Sequence, residues 1–178
     1  MSTMLLGKST ARGFILASLL FLLLGIIEGL MHPTKFAFQE FYALVLGLEP
    51  DHIKPFFGHF VSKIHTHVAL VGWVSTGLMG VFYYMAEEIK GGARYKPLLC
   101  ASNLILQVGG VVILAAGFHL VGIMAVPTGH AAGSPEFRAA AQSVKPVVVA
   151  GGVTLLMSGL IFIYNICATL LGRSGKST

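Results

Sequence analysis

A chain of 178 residues that is 55% hydrophobic and only 11% charged, with mean hydropathy +0.81, is neither a soluble globular domain nor a disordered one. Its net charge of +5 is spread through the segments between apolar runs, without the basic cluster that nucleic acid requires of a partner. The two cysteines, Cys100 and Cys167, supply no disulfide framework, no CxxC zinc pair and no CxxCH attachment, so any heme is held without thioether bonds.

Four continuous apolar runs, at 13–31, 64–86, 98–126 and 147–171, each reach the roughly 20 residues that cross about 30 Å of hydrocarbon as a helix. They do not alternate, which sets strands aside. They predict an all-α, integral membrane four-helix bundle forming a single domain over 1–178, and the 22 glycines suit close helix approach. The first run follows Lys8 and Arg12 in the manner of a signal peptide. No small-residue cleavage site comes after it, and the chain continues through Glu28, Met31, His32 and Pro33, so it is read as a retained span. Glu28 and His32, spaced i,i+4, share a face near its end; they form a candidate proton or quinone head-group site, with a local hydrogen bond as the plainer alternative.

In the long connection that follows, 38–48 predicts a short amphipathic helix on the membrane surface, with Phe36, Phe38, Phe41 and Tyr42 suited to the interface. His52 and His59 read as solvent-side. The second run opens on His65 and His67, which lie about 200° apart on a helix and cannot face one cofactor. His65 shares its stripe with Ser62, Ala69, Gly72, Thr76 and Met79, small enough to leave room for a flat macrocycle. His67 shares a bulkier stripe with Lys63, Leu70, Val71 and Leu78, which reads as packing or lipid contact. A charged connection at 87–96 turns at Gly91-Gly92, with Pro97 near the start of the third run. There His119 lies on another small stripe with Ala115, Ala116 and Gly122. The connection 127–142 is small and polar and carries His130.

An even number of spans puts both termini on one side. That side carries seven Lys/Arg (Lys8, Arg12, Lys90, Arg94, Lys96, Arg173, Lys176) and the other five (Lys35, Lys54, Lys63, Arg138, Lys145), which predicts cytoplasmic termini. All seven histidines fall at or near the opposite end, facing the periplasm if the membrane is a bacterial inner membrane. His65 and His119 lie about 15 Å and about 12 Å along antiparallel helices from the outer boundary. At matched depth, with Gly72 and Gly122 on their faces, they suit bis-histidine ligation of a non-covalent b-type heme. Open alternatives are His67 as ligand, a non-heme metal site from His32, His59, His67 and His130, and imidazoles that only bond backbone carbonyls.

The stretch His65-Thr66-His67-Val68-Ala69-Leu70-Val71-Gly72-Trp73-Val74, followed by Gly77, Gly80 and Tyr83-Tyr84, resembles the second helix of heme–copper oxidase large subunits. It is similar above all to the nitric oxide reductase large subunit and the C-family oxidases. The resemblance covers about residues 12–86 and implies that His65 ligates a low-spin heme b. Those subunits have far more helices, including the later one that supplies the second ligand and those that carry the second metal. Oxygen or nitric oxide reduction by this chain alone is therefore not expected; His119, or a histidine from another subunit, is expected as the second ligand. The resulting expectation is a small b-type cytochrome, an oxidoreductase or redox subunit in a membrane of lipid. It would pass electrons between the quinone pool or a membrane partner and an outer-face redox protein, alone, as a homo-oligomer or with respiratory-complex subunits. The alternatives are a cofactor-free accessory subunit or assembly factor and a non-heme metal-binding membrane protein.

Overall fold

The computed structural model describes residues 4–56, 62–91, 96–125 and 133–172. Four of its helices are long and apolar enough to cross a membrane: Lys8–Leu30, Ser62–Lys90, Leu98–Met124 and Pro135–Leu171. Helix is the conformation this composition demands, because hydrocarbon offers no partner for an unpaired backbone group. We number the elements α1 (Met4–Leu30), α2 (Lys35–Leu46), α3 (Pro50–Phe56), α4 (Ser62–Lys90), α5 (Pro97–Ala125) and α6 (Pro135–Leu171). Among the described residues there is no strand.

Two elements depart from the sequence expectation. The helix α6 begins at Pro135, inside the segment expected to be a loop, because the Ser134 hydroxyl accepts the Phe137 amide at 3.1 Å and Pro135 fills the first helical position. Pro146 lies within it and does not end it. At 37 residues the helix is about 55 Å long, so its first turns extend past a hydrocarbon layer of about 30 Å. The connection after α1 also holds two helices where one was expected. The first ends at Gly47, whose φ of 66° lets its amide reach back to the carbonyls of Ala43 and Leu44. The second starts on Pro50, and Asp51 pairs with Lys54 one turn on. Both pack where the end of α5 meets the start of α6, and there Ala43 and Ile53 share a core with Val121 and Val144. Phe36 and Phe41 stay exposed, whereas Phe38 and Tyr42 pack against this core.

Glycines set the two closest helix pairs. On α4, a Cβ at Gly72 would meet the Phe21 ring at 2.8 Å and one at Gly80 would meet the Ala11 carbonyl at 3.1 Å, so α1 lies directly on α4. On α5 and α6, Gly110, Gly117 and Gly151 do the same against Leu155, Val148 and Leu114. The middle of α4, Val68–Ser75, is wound as a π-helix. Hydroxyls and an amide take up its carbonyls: Ser75 bonds Leu70, Thr76 and Gln107 both bond Val71, and Ser18 of α1 bonds Trp73. A wide turn of this kind costs regular hydrogen bonding and is found mostly where side chains replace it.

Candidate functional site

At the histidine-bearing end of the bundle the histidines divide between two interfaces. The ring of His65 faces α1: it lies 3.3 Å from the position of a Cβ on Gly29 and meets His32 edge-on at 5.8 Å between ring centres. The ring of His67, two residues on, faces α5 and tilts onto Phe118 at 5.1 Å. The sequence geometry requires this divergence, and the structure assigns the sides.

The small stripe around His65 is occupied. Phe21 fills the space at Gly72, and Gly25 of α1 packs at 3.8 Å from Ala69. Thr76 is completely buried and bonded to Val71 and Gln107. The gap read from sequence as room for a macrocycle is filled by α1, because a stripe of small residues is equally a seat for a neighbouring helix. His65 keeps a buried Nδ1 without a hydrogen-bond partner. His119 is half-buried, its Nδ1 bonded to the Ala115 carbonyl at 3.2 Å, and Gly122 beside it is buried. The one ring contact of His65 among the described residues is with His32, so the structure brings His65 together with His32 and not into ring contact with His119.

His67 and His119 share a feature that His65 lacks. The Nδ1 of His67 lies 2.7 Å from the Lys63 carbonyl, and that of His119 meets the Ala115 carbonyl. A carbonyl oxygen only accepts, so each Nδ1 carries a proton and Nε2 is the nitrogen through which either ring would ligate a metal. This is the tautomer that metal-ligating histidines adopt. Between these helices and α6 opens a cleft of about 500 Å³, lined by Phe118, Val121, Phe137 and Val148, with Lys63, Arg138 and Lys145 around it. An apolar cleft with a cationic margin suits an amphiphilic acid. His52 is exposed, while His59 and His130 lie outside the described residues. No group of three or more His, Cys, Asp or Glu that could hold a metal ion occurs among the described residues.

Glu28 and His32 form neither a hydrogen bond nor an ion pair, and Glu28 Oε2 is buried without a partner. Tyr42 of α2 is close enough to feel this carboxylate: burial first, and the Glu28 charge second, push its phenol above the ordinary value. The folded phenol therefore holds its proton to higher pH than the unfolded one. Its contribution to stability is complete below the unfolded value of about 10 and is lost as pH rises through the folded value. Tyr42→Phe is expected to remove this alkaline loss, read as a smaller fall in melting temperature between about pH 9 and about pH 11. An unchanged fall would show that other groups cause it.

A second polar system, away from the histidines, went unnoticed in the sequence. Deep between α4, α5 and α6, the Tyr83 hydroxyl accepts from Asn103 and Asn165, each at 2.8 Å. Ser158 donates toward Asn103 Oδ1 at 2.7 Å and Gln107 Oε1 at 3.0 Å, and Gln107 donates to Thr76 at 3.1 Å. Tyr83, Asn103, Asn165, Ser158 and Thr76 are 0% exposed, so this network is closed to lipid and water alike.

No family model matches the chain, and no solved structure matches it. It is 30% identical over 121 residues to cytochrome c oxidase subunit 1 of Thermus thermophilus, a match that covers 63% of this chain and 20% of that protein. The chain thus spans about a fifth of the length of this curated relative. Over that stretch it is similar to a bacterial membrane oxidase subunit, a loose tie to the heme–copper oxidase large subunits.

Proposed function

We propose that the chain is a membrane redox protein that binds a b-type heme non-covalently at its histidine-rich end and exchanges electrons with a membrane partner or the quinone pool. The similarity to an oxidase subunit supports a redox role in general. The observation that carries the finer reading is the shared tautomer of His67 and His119, each with Nδ1 tied to a carbonyl of its own helix. His67, whose ring meets the cleft residue Phe118, and His119, next to Phe118 in sequence, are chemically suitable ligands, and Lys63, Arg138 and Lys145 of the cleft are cations suited to propionate carboxylates. The family motif would give ligation to His65 instead; the packing of His65, Ala69 and Gly72 against Gly29, Gly25 and Phe21 of α1 argues against a macrocycle on that side. When bound, the heme supplies a one-electron couple, and the chain sets its ligation, burial and access. The Lys/Arg distribution favours a periplasmic position for this end.

The test is an absorption spectrum of the detergent-purified protein, oxidised and dithionite-reduced, with a pyridine hemochrome assay for stoichiometry. Sharp reduced bands that survive His65→Ala and vanish in His67→Ala and His119→Ala are expected. Loss in His65→Ala alone would return the iron to the motif position and require a ligand from elsewhere. The filled His65 stripe also favours a second reading, a cofactor-free accessory subunit, which predicts a colourless protein despite ample heme supply.

A further inference from the structure

The buried polar network has a regular geometry and an unfinished end. α4 and α6 run in the same direction through the bundle, and Tyr83 pairs with Asn165 at an offset of 82 residues. The same offset matches Thr76 with Ser158, which Gln107 bridges. Continued one turn beyond Tyr83 and Asn165, it matches Glu87 with Thr169. Here the hydrogen bonding stops. Both carboxylate oxygens of Glu87, the Thr169 hydroxyl and, one turn above, Asn165 Oδ1 are buried and have no hydrogen-bond partner. Glu87 is 3% exposed and Thr169 and Asn165 are 0% exposed. The neighbouring cation, Lys8, is engaged at the surface by Glu88 at 3.3 Å.

A carboxylate without a partner in a low-dielectric interior is costly, and unsatisfied groups at native sites call for an explanation. Glu87 feels the Lys8 charge, but Lys8 is paired at the surface with Glu88, and the buried oxygens of Glu87, Thr169 and Asn165 at this end of the two helices have no cation in direct contact. We propose that Glu87, Thr169 and Asn165 bind a small monovalent cation, Na⁺. The donors are all oxygen, which selects hard ions over zinc, copper or iron. There is one carboxylate charge, so a monovalent ion gives a neutral buried site while a divalent ion leaves uncompensated charge. The site lies at the end of the bundle opposite the histidines and is independent of heme binding. Protons compete for the same carboxylate; the ionisable groups on the packed elements are Lys8 of α1, Tyr83 and Glu88 of α4 and Cys100 of α5, which Thr10 bonds. On α6 the facing groups are the neutral Asn165 and Thr169.

The experiment is thermal unfolding of the detergent-purified full chain at constant ionic strength, with NaCl exchanged for KCl or choline chloride. A saturable rise in melting temperature with NaCl alone is expected, with the half-saturating concentration increasing as pH falls. Glu87→Gln should abolish the response. Thr169→Val keeps the carboxylate and should raise the half-saturating concentration about tenfold. Indifference of the wild type to Na⁺, an equal response to K⁺ or choline, or a full response in Glu87→Gln would overturn the proposal. If Glu87→Gln does not fold, an unshifted midpoint in Thr169→Val overturns it by itself.

Discussion

Gly151→Leu is expected to stop α5 and α6 from closing, so that the protein loses its cooperative unfolding transition. A Cβ at Gly151 would stand 2.7 Å from the Leu114 amide nitrogen and 2.9 Å from its Cα. These are backbone atoms of a helix whose main chain is committed to its own hydrogen bonds, so no rotamer change relieves the overlap. Gly117 against the Val148 amide and Gly110 against that of Leu155, both at 3.1 Å, lie along the same antiparallel contact. Relief at Gly151 must therefore part the helices over a long stretch. Even Gly151→Ala is expected to cost about 1–3 kcal/mol, the usual size of overpacking. Gly109 and Gly152 are neighbours in sequence with nothing within 4 Å of a Cβ. Alanine there should be neutral or stabilising by up to about 1 kcal/mol through helix propensity. Unfolding in SDS, followed by circular dichroism, separates the two pairs. Equal behaviour of Gly151→Ala and Gly152→Ala would contradict the α5–α6 contact.

That contrast also marks the limit of what the amino-acid sequence reveals. Hydropathy locates the four spans because crossing hydrocarbon demands length and apolarity, both local properties. It does not say which neighbour fills a small stripe: the stripe of His65, Ala69 and Gly72 reads equally as a heme face or as a seat for α1, and it is Phe21 of α1 that packs at Gly72. The divergence of His65 and His67 was legible from helix angle alone; the identity of the facing helices was not. The start of α6 was legible too, since Ser134-Pro135-Glu136 is a helix-opening pattern, but the small, polar composition of 127–142 suggested a loop. The buried network left the plainest unread sign. Thr76, Tyr83 and Glu87 on α4 repeat the spacing of Ser158, Asn165 and Thr169 on α6, seven residues and then four, which is one face of each helix. Polar groups repeated on one face of an apolar span imply a polar partner face. The π-helix had no such sign, since two of the groups that take up its carbonyls, Ser18 and Gln107, come from α1 and α5.

Tyr83→Phe is the sharpest test of that network. The substitution keeps the ring that packs against Phe14 at 5.5 Å and Phe162 at 5.6 Å, so little dispersion contact is lost. It removes only the oxygen that accepts from Asn103 and Asn165. Two amide N–H groups on side chains that are 0% exposed are then stranded where no water reaches. Each stranded donor costs about 1–3 kcal/mol in a protein interior. Hydrogen bonds between membrane helices average closer to about 0.6 kcal/mol, because the separated helices also find partners. A total loss of about 1–3 kcal/mol follows, large for the deletion of one atom. The mechanism makes a further demand. Once the Tyr83 oxygen is gone, the Asn103 amide has less to lose, so Asn103→Leu should cost less in Tyr83→Phe than in the wild type, although it still gives up the bond from Ser158. A double-mutant cycle on SDS unfolding free energies measures the difference. Strictly additive costs would mean that the two side chains do not share the bond, and the hydrogen-bonded contact of α4 with α5 at this level would be lost.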